Sequence, residues 1–250
     1  MDLNADLAEG DTFGPRDRAL LDVVTSASLA CGFHAGSRTV MRAAAESCIE
    51  QGVAIGAHVS YRDRVGFGRW ALDLPAGQLS ADLVEQWEAL VTEVTAAGGE
   101  VTFVKPHGAL YAAMAVDRAV ATTVVDTFAP RCPVLVGPPD GTQEGAAVAA
   151  GMDMVPEGFC DRGYDASGLL IPRGEAGDLV DDPAVVAGRA RSLTIDSGVH
   201  AVDGTWVALR VRTLCIHGDR DGADSRARAV RDALAAAGVE VRAFAPAVDT

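Results

Sequence analysis

Apolar and polar positions along this chain follow two alternating rhythms, one of period two and one of helical spacing. Met1 to Leu7 alternates with period two, as a strand with one polar face does, and breaks into the turn-rich Glu9-Gly-Asp-Thr-Phe-Gly-Pro15. Arg16 to Val24 reads as a short helix and Thr25 to Phe33 as a second strand. Ser37 is placed to cap a helix from Arg38 to about Gln51, with Gly52 as its stop. Val53 to Ala57 predicts a third strand, followed by a long loop from Tyr61 to Arg69. Leu83, Trp87, Leu90 and Val94, flanked by Val84 and Val91, make one apolar face between Ser80 and Gly98, so that helix should lie on a sheet.

The run Val101-Thr-Phe-Val-Lys105-Pro-His107 predicts a buried strand that ends in polar groups. Helix is expected over Ala112 to Phe128, strand over Val134 to Val136, helix over Gly141 to Ala150 and strand over Met154 to Phe159. A glycine-rich loop then passes Asp161-Arg162-Gly-Tyr164 and Ile171-Pro-Arg173-Gly174. Pro183 to Ser197 reads as helix, Trp206 to Ile216 as an apolar strand segment, and Ala223, Ala227, Val230, Leu234 and Ala237 as one face of a last helix. Val239 to Phe244 is expected to be a closing strand.

Strands alternating with helices at this interval imply βα units, parallel strands and right-handed crossovers. With no linker or low-complexity tract, residues 1–250 are expected to form one α/β domain, a barrel of about seven or eight units. At 250 residues and 49% apolar content the chain can bury a large core. A net charge of −14 argues against binding nucleic acid or an anionic membrane surface. The acidic start, Met-Asp-Leu-Asn-Ala-Asp, and the lack of a long apolar run lead us to expect a cytoplasmic protein. Five widely spaced cysteines with no Cys-x-x-Cys pair exclude a disulfide framework and a zinc knuckle from the expectation.

Chemistry gathers where strands stop. Four of the five histidines, His34, His58, His107 and His217, close apolar runs. In parallel α/β folds the carboxyl ends of the strands build the ligand site, so Asp6, His34, His58, His107, Glu157 and His217 are expected at one mouth. Two chemistries fit. Several histidines with Asp6 or Glu157 could hold a divalent ion that activates water for hydrolysis, although no local His-x-x-x-His motif supports it. Alternatively Lys105 with Arg62, Arg64, Arg69, Arg162 and Arg173 could neutralise phosphate oxygens while a carboxylate and a histidine move protons. Neither a Gly-x-x-x-x-Gly-Lys-Ser/Thr loop nor a Gly-x-Gly-x-x-Gly turn is present.

Read as a set, Asp2-Leu-Asn-Ala-Asp6-Leu-Ala-Glu9-Gly, Ala30-Cys-Gly-Phe-His34-Ala-Gly, Gly56-Ala-His58-Val-Ser-Tyr61-Arg-Asp63-Arg64-Val-Gly-Phe-Gly-Arg69, Lys105-Pro-His107-Gly-Ala-Leu-Tyr111, Glu157-Gly-Phe-Cys-Asp161-Arg162 and His217-Gly-Asp219 resemble the LamB/YcsF family from residue 2 to about 245. The resemblance implies an irregular (β/α) barrel of seven strands, similar to glycoside hydrolase and deacetylase barrels. It also implies ATP-dependent opening of 5-oxo-L-proline to L-glutamate through a phosphorylated lactam, with Mg2+ on the nucleotide and with B and C partner subunits. The rival readings are a metal-dependent amide or acetyl hydrolase and a non-catalytic lactam-binding subunit.

On this resemblance Asp6, His58, Lys105, His107 and Glu157 would be catalytic. Asn4, Glu9, His34, Tyr61, Arg64, Arg69, Asp161, Arg162, Arg173, His217 and Asp219 would bind substrate or nucleotide, and Asp6, His34, His58 and His107 are the candidates for a metal. The chain departs from the family pattern at Ala8, Ser37, Val59, Trp70, Ala112 and Arg220-Asp221.

Overall fold

The structure is a computed structural model that describes residues 1–245; the last five residues of the expected domain lie outside them. Nine strands run in the order β1 (Asp2–Leu7), β2 (Ser26–Ala30), β3 (Ala54–Val59), β4 (Val101–Pro106), β5 (Val134–Gly137), β6 (Asp153–Phe159), β7 (Gly198–His200), β8 (Trp206–Ala208) and β9 (Thr213–His217). Eight helices interleave with them: α1 (Pro15–Leu21), α2 (Arg38–Gln51), α3 (Ala76–Ala96), α4 (Gly108–Val116), α5 (Arg118–Phe128), α6 (Gln143–Ala149), α7 (Pro183–Arg191) and α8 (Ala223–Ala236). Seven strands, β1 to β6 and β9, close into an all-parallel barrel, and β7 with β8 forms a separate antiparallel pair.

Period-two alternation sorts the strand residues into two environments. Leu3, Ala5, Leu7, Leu29, Ile55, Ala57, Leu135, Leu214 and Ile216 join the helices in the main hydrophobic core. Their neighbours turn inward: Asp2, Asn4 and Asp6 of β1 meet Ser26, Glu157, Lys105 and Thr213 across the interior. On the side formed by β3 to β6 the amino-terminal end of the interior is apolar, filled by Ala54, Phe103, Val136 and Val155. Gly56 makes room there, because a Cβ on it would stand 2.1 Å from the Phe103 ring.

The barrel closes without the strand expected over Val239 to Phe244. Thr213–His217 pairs with β1 on one side and β6 on the other, which leaves no edge for another strand to join. Residues 239–245 run irregularly beneath the barrel, where Phe244 meets Phe103 edge to face at 5.1 Å and the Met1 carbonyl accepts from the Arg242 amide. The helix expected over Ala112 to Phe128 is two helices, because Asp117 caps α5 by accepting from the Ala119 and Val120 amides. The segment expected as one strand from Trp206 to Ile216 is split between β8 and β9. Past α7 the chain widens into a π-helical turn, Ser192–Asp196, ended by Ser197 at φ +54°. The α2 boundaries are those expected, with Ser37 accepting from the Val40 amide and Gly52 left-handed at φ +66°.

One seam is thin: β4 and β5 share a single paired position, Val104 with Leu135. Among the described residues no single helix is long and apolar enough to cross a membrane; α4 and α5 qualify only together and meet at 112°.

Candidate active site

The inward face of the barrel is a column of polar layers that rises to the carboxyl ends of the strands. At its base the Asp2 carboxylate accepts from the hydroxyls of Thr25, Ser26 and Thr213. Burial outweighs those three donors and pushes its pKa up to about 6. Above it Asn4 donates to Glu157 Oε1 at 2.9 Å and to Thr213 Oγ1 at 2.7 Å. Lys105 Nζ lies at the centre, 2.8 Å from Asp6 Oδ1, 2.7 Å from Glu157 Oε1, 3.2 Å from Asn4 Oδ1 and 3.3 Å from Cys215 Sγ.

Lys105 is 1% exposed, and burial alone would drive off its proton. Asp6, Cys215 and Glu157 outweigh that and hold its pKa well above the usual lysine value. The reciprocal effect holds Asp6 ionised: burial would raise it, and His58 and Lys105 together bring it well below the usual carboxylate range. Lys105 thus carries two carboxylates, Asp6 and Glu157, and fixes both in place.

Over this layer stand three imidazoles and Glu9. His34 and His107 stack at 4.0 Å between ring centroids, with His58 edge-on to both. Glu9 Oε1 lies 3.2 Å from His34 Nε2, 3.6 Å from His107 Nδ1 and 3.9 Å from His58 Nε2. One ligand atom from each of the four residues falls within 4.8 Å of the others. Asp6, the carboxylate expected in this group, touches only His58 of the three, at 3.4 Å; Glu9, in the loop after β1, takes the place beside all of them. Burial and the neighbouring rings lower the pKa of His34 and His107, and burial raises that of Glu9.

A cavity of about 520 Å³ opens above these groups, floored by Asp6, His58, Lys105 and His107 and walled by Tyr111, Phe159, Leu170 and Ile171. Arg69, Arg162, Arg173 and His217 stand around it. Asp219 lies between Arg69, at 3.0 Å, and Arg173, at 4.0 Å. Asp161 sits behind His217, accepting from its backbone amide and pairing with its Nδ1 at 3.0 Å each. Arg162 donates to the carbonyls of Asp178 and Ile171 and braces the loop; burial and Arg173 lower its pKa to about 10. Two expected binding residues lie elsewhere. Tyr61 is buried in the hydrophobic core, and Arg64 clamps the carbonyls of Gly32 and Gly36.

The LamB/YcsF family model matches residues 1–249. The chain belongs to the LamB/YcsF family. Relatives of this LamB/YcsF chain that are named as the A subunit of 5-oxoprolinase are 48% identical in Streptomyces coelicolor, over 98% of this chain and 100% of that one, and 45% identical in Nocardia farcinica, over 98% and 99%. A crystal structure of a lactam utilization protein from Thermus thermophilus is 41% identical and superimposes with a TM-score of 0.89, covering 98% of this chain and 99% of that one. A putative cellobiose-phosphate cleavage protein from Enterococcus faecalis V583, 11% identical over 97% of this chain and 95% of that one, shares the fold with a TM-score of 0.55.

Several site residues of this LamB/YcsF protein escape a reading by strand ends. Tyr111 follows His107 by one helical turn, and its Oη is buried without a hydrogen-bond partner among the described residues, as is Glu157 Oε2. Burial, with Glu157 beside it, keeps the Tyr111 phenol protonated. Cys215 faces inward between Thr213 and His217 on β9, a position that period two makes legible once the strand's polar face is known. Ser60 is held from both sides by Gln86 of α3, which accepts from its amide and donates to its carbonyl at 2.9 Å each. Of the departures from the family pattern, Ala8 adopts φ +62°, a conformation that favours glycine, and Ala112 lines the cavity. Trp70 is exposed, and Arg220 pairs with Asp181 at 3.1 Å.

Proposed function

We propose that this chain is the A subunit of a 5-oxoprolinase and opens the five-membered lactam of 5-oxo-L-proline to L-glutamate. Support comes from the whole-length identity to relatives of that name, and the observation that carries the reading is the cavity: charged and imidazole groups on the floor, Tyr111 and Phe159 on the wall, two arginines at the mouth. A small ring with an apolar edge, a polar amide and a carboxylate matches that distribution.

Amide resonance makes a lactam resist water; ATP, when bound, would supply a phosphoryl group to the carbonyl oxygen. Water then adds at that carbon, the ring C–N bond breaks with the nitrogen leaving as the protonated amine, and the acyl phosphate so formed is hydrolysed to the free carboxylate and phosphate. The residues present fit such an anion, because Arg173 Nη2 is buried without a hydrogen-bond acceptor among the described residues and Arg69 stands across Asp219 from it. In this mechanism Arg69 and Arg173 hold negative oxygens. Tyr111 Oη, protonated and unpartnered, donates to the oxygen on which charge develops. Asp6, ionised and pinned by Lys105, orients the attacking water and takes up its proton. B and C subunits complete the complex, and the cytoplasm, where ATP is available, is its place.

The test is reconstitution with candidate B and C subunits, followed by assay of 5-oxoproline-dependent release of phosphate and glutamate. No release of either from a complete complex would refute the assignment. The cluster of Glu9 with three histidines favours a second reading, amide hydrolysis without ATP; turnover that persists after ATP is removed would select it.

A further inference from the structure

The protons on the three imidazoles can be placed from the partners of their outer nitrogens. His58 Nδ1 is 3.0 Å from the Lys105 carbonyl and His107 Nε2 is 2.9 Å from the Phe67 carbonyl. A carbonyl only accepts, so both of these nitrogens carry hydrogen. His34 Nδ1 is 3.0 Å from Ser60 Oγ, and that hydroxyl donates its own hydrogen to the Tyr61 carbonyl at 2.8 Å. Ser60 Oγ therefore accepts, and His34 Nδ1 carries hydrogen as well.

In its neutral form each ring therefore turns a lone pair inward: His34 Nε2, His58 Nε2 and His107 Nδ1, with Glu9 Oε1 as a fourth acceptor and Asp6 Oδ2 3.4 Å from His58 Nε2. His58 Nε2 and His107 Nδ1 are 2.9 Å apart, a hydrogen-bond distance between two acceptors with no hydrogen to share. Side chains do not crowd four acceptors around one point unless a positive charge belongs there.

Tetrahedral ligands at the usual zinc–nitrogen bond length lie about 3.3 Å from one another. The spacings here straddle that value: 2.9 Å for His58 to His107, 3.2 Å for Glu9 to His34, 3.6 Å for Glu9 to His107 and 3.9 Å for Glu9 to His58. The outer partners, two carbonyls and a serine hydroxyl, are of the kind that orient metal-bound histidines. Gly68 at φ +65° presses the rings together, since a Cβ there would lie 2.8 Å from His107 Cδ2 and 3.0 Å from His34 Cβ.

We propose that Glu9 Oε1, His34 Nε2, His58 Nε2 and His107 Nδ1 form a binding site for one divalent transition-metal ion, with zinc the best fit. Three nitrogen donors suit zinc and its neighbours and do not suit magnesium, which takes oxygen. The site is therefore separate from any Mg2+ that accompanies a nucleotide. His58 and His107 also floor the cavity, which places the cation against the substrate space beside Asp6. The inference requires neither ATP nor a lactam and stands or falls apart from the function proposed above.

The experiment uses the full chain, stripped with a chelator and dialysed, then titrated with Zn2+ by calorimetry and with Co2+ by visible absorption. One equivalent per chain, with cobalt bands of four- or five-coordinate geometry and no competition from millimolar Mg2+, is the expected result. Glu9→Gln and His34→Ala should each weaken Zn2+ binding by at least tenfold. Ser60→Ala, which frees the tautomer of His34, should weaken it roughly 10- to 100-fold. Thermal unfolding of each stripped variant, compared with the stripped wild type, separates lost ligation from lost folding. Failure of folded wild type to take up stoichiometric metal would overturn the proposal, leaving a proton shared by His58 and His107 as the positive charge. Unchanged affinity in folded Glu9→Gln and His34→Ala would overturn it equally.

Discussion

Lys105 is a single side chain on which two carboxylates depend. Replacing it by methionine keeps the length and removes the charge, which leaves Asp6 and Glu157 facing each other in a buried interior. The expected cost is about 3–5 kcal/mol of folding stability, measured by urea unfolding, together with loss of turnover in the reconstituted complex. Asp2, at the other end of the column, behaves in the opposite sense. Its folded pKa of about 6 lies above the ordinary value of 3.8, so the folded state holds the proton more tightly. The stability it contributes is complete below about pH 3.8 and is lost as pH rises through about 6, a change of roughly 3 kcal/mol. Asp2→Asn should therefore flatten the pH dependence of unfolding between pH 4 and 7 and leave the variant more stable than wild type at neutral pH.

At this scale strand ends made Asp6, His58, Lys105 and His107 legible, because a parallel barrel sends inward residues near those ends to one mouth. Glu157, expected with them, lies fully buried a layer below on Asn4 and Lys105 and does not line the cavity. Glu9 was legible only as a binding residue, since a loop carries it over the imidazoles and loops have no period from which a direction can be read.

Among the elements, α2 was readable to the residue because Ser37 and Gly52 mark its ends by their own chemistry. The break between α4 and α5 was not, for Asp117 is one polar residue in an otherwise apolar run, and its capping role emerges only when the chain turns there. The division of Trp206 to Ile216 was hidden for a related reason: β7 and β8 pair with each other outside the barrel, and a continuous apolar run does not reveal which neighbour each half will find. Helix α3 has a task beyond packing. Gln86 is fully buried and satisfies both backbone groups of Ser60 just past β3. Gln86→Leu leaves an amide and a carbonyl orphaned, so we expect a loss of roughly 2–4 kcal/mol in unfolding free energy. Disturbance of Ser60 should also shift the histidine ring resonances seen by NMR.

For the whole molecule, the two ends of the barrel divide their labour. Apart from Asp2, the carboxyl ends hold the inward ionisable groups and the cavity, while the amino ends of β3 to β6 are sealed by Phe103, Val136, Val155 and the chain around Phe244. Phe244→Ala should thus cost about 1–3 kcal/mol in thermal or urea unfolding and leave turnover of the reconstituted complex unchanged. The expected parallel barrel was legible because βα alternation runs nearly the length of the chain. How it closes was not, since β9 rather than the last apolar run joins β1, and strand pairing across more than two hundred residues leaves no local trace.

A closed hoop of strands is as tight as its weakest joint. With Val104 and Leu135 the only matched pair between β4 and β5, the backbone amides of Leu135 to Gly137 should exchange with deuterium sooner than those of Leu3 to Asp6, which are laced to strands on both sides. Lys105 and His107 are carried by the stave next to that joint. Loosening there would be felt at the cavity floor through Lys105 and not through β5, which is only four residues long and lines none of the cavity.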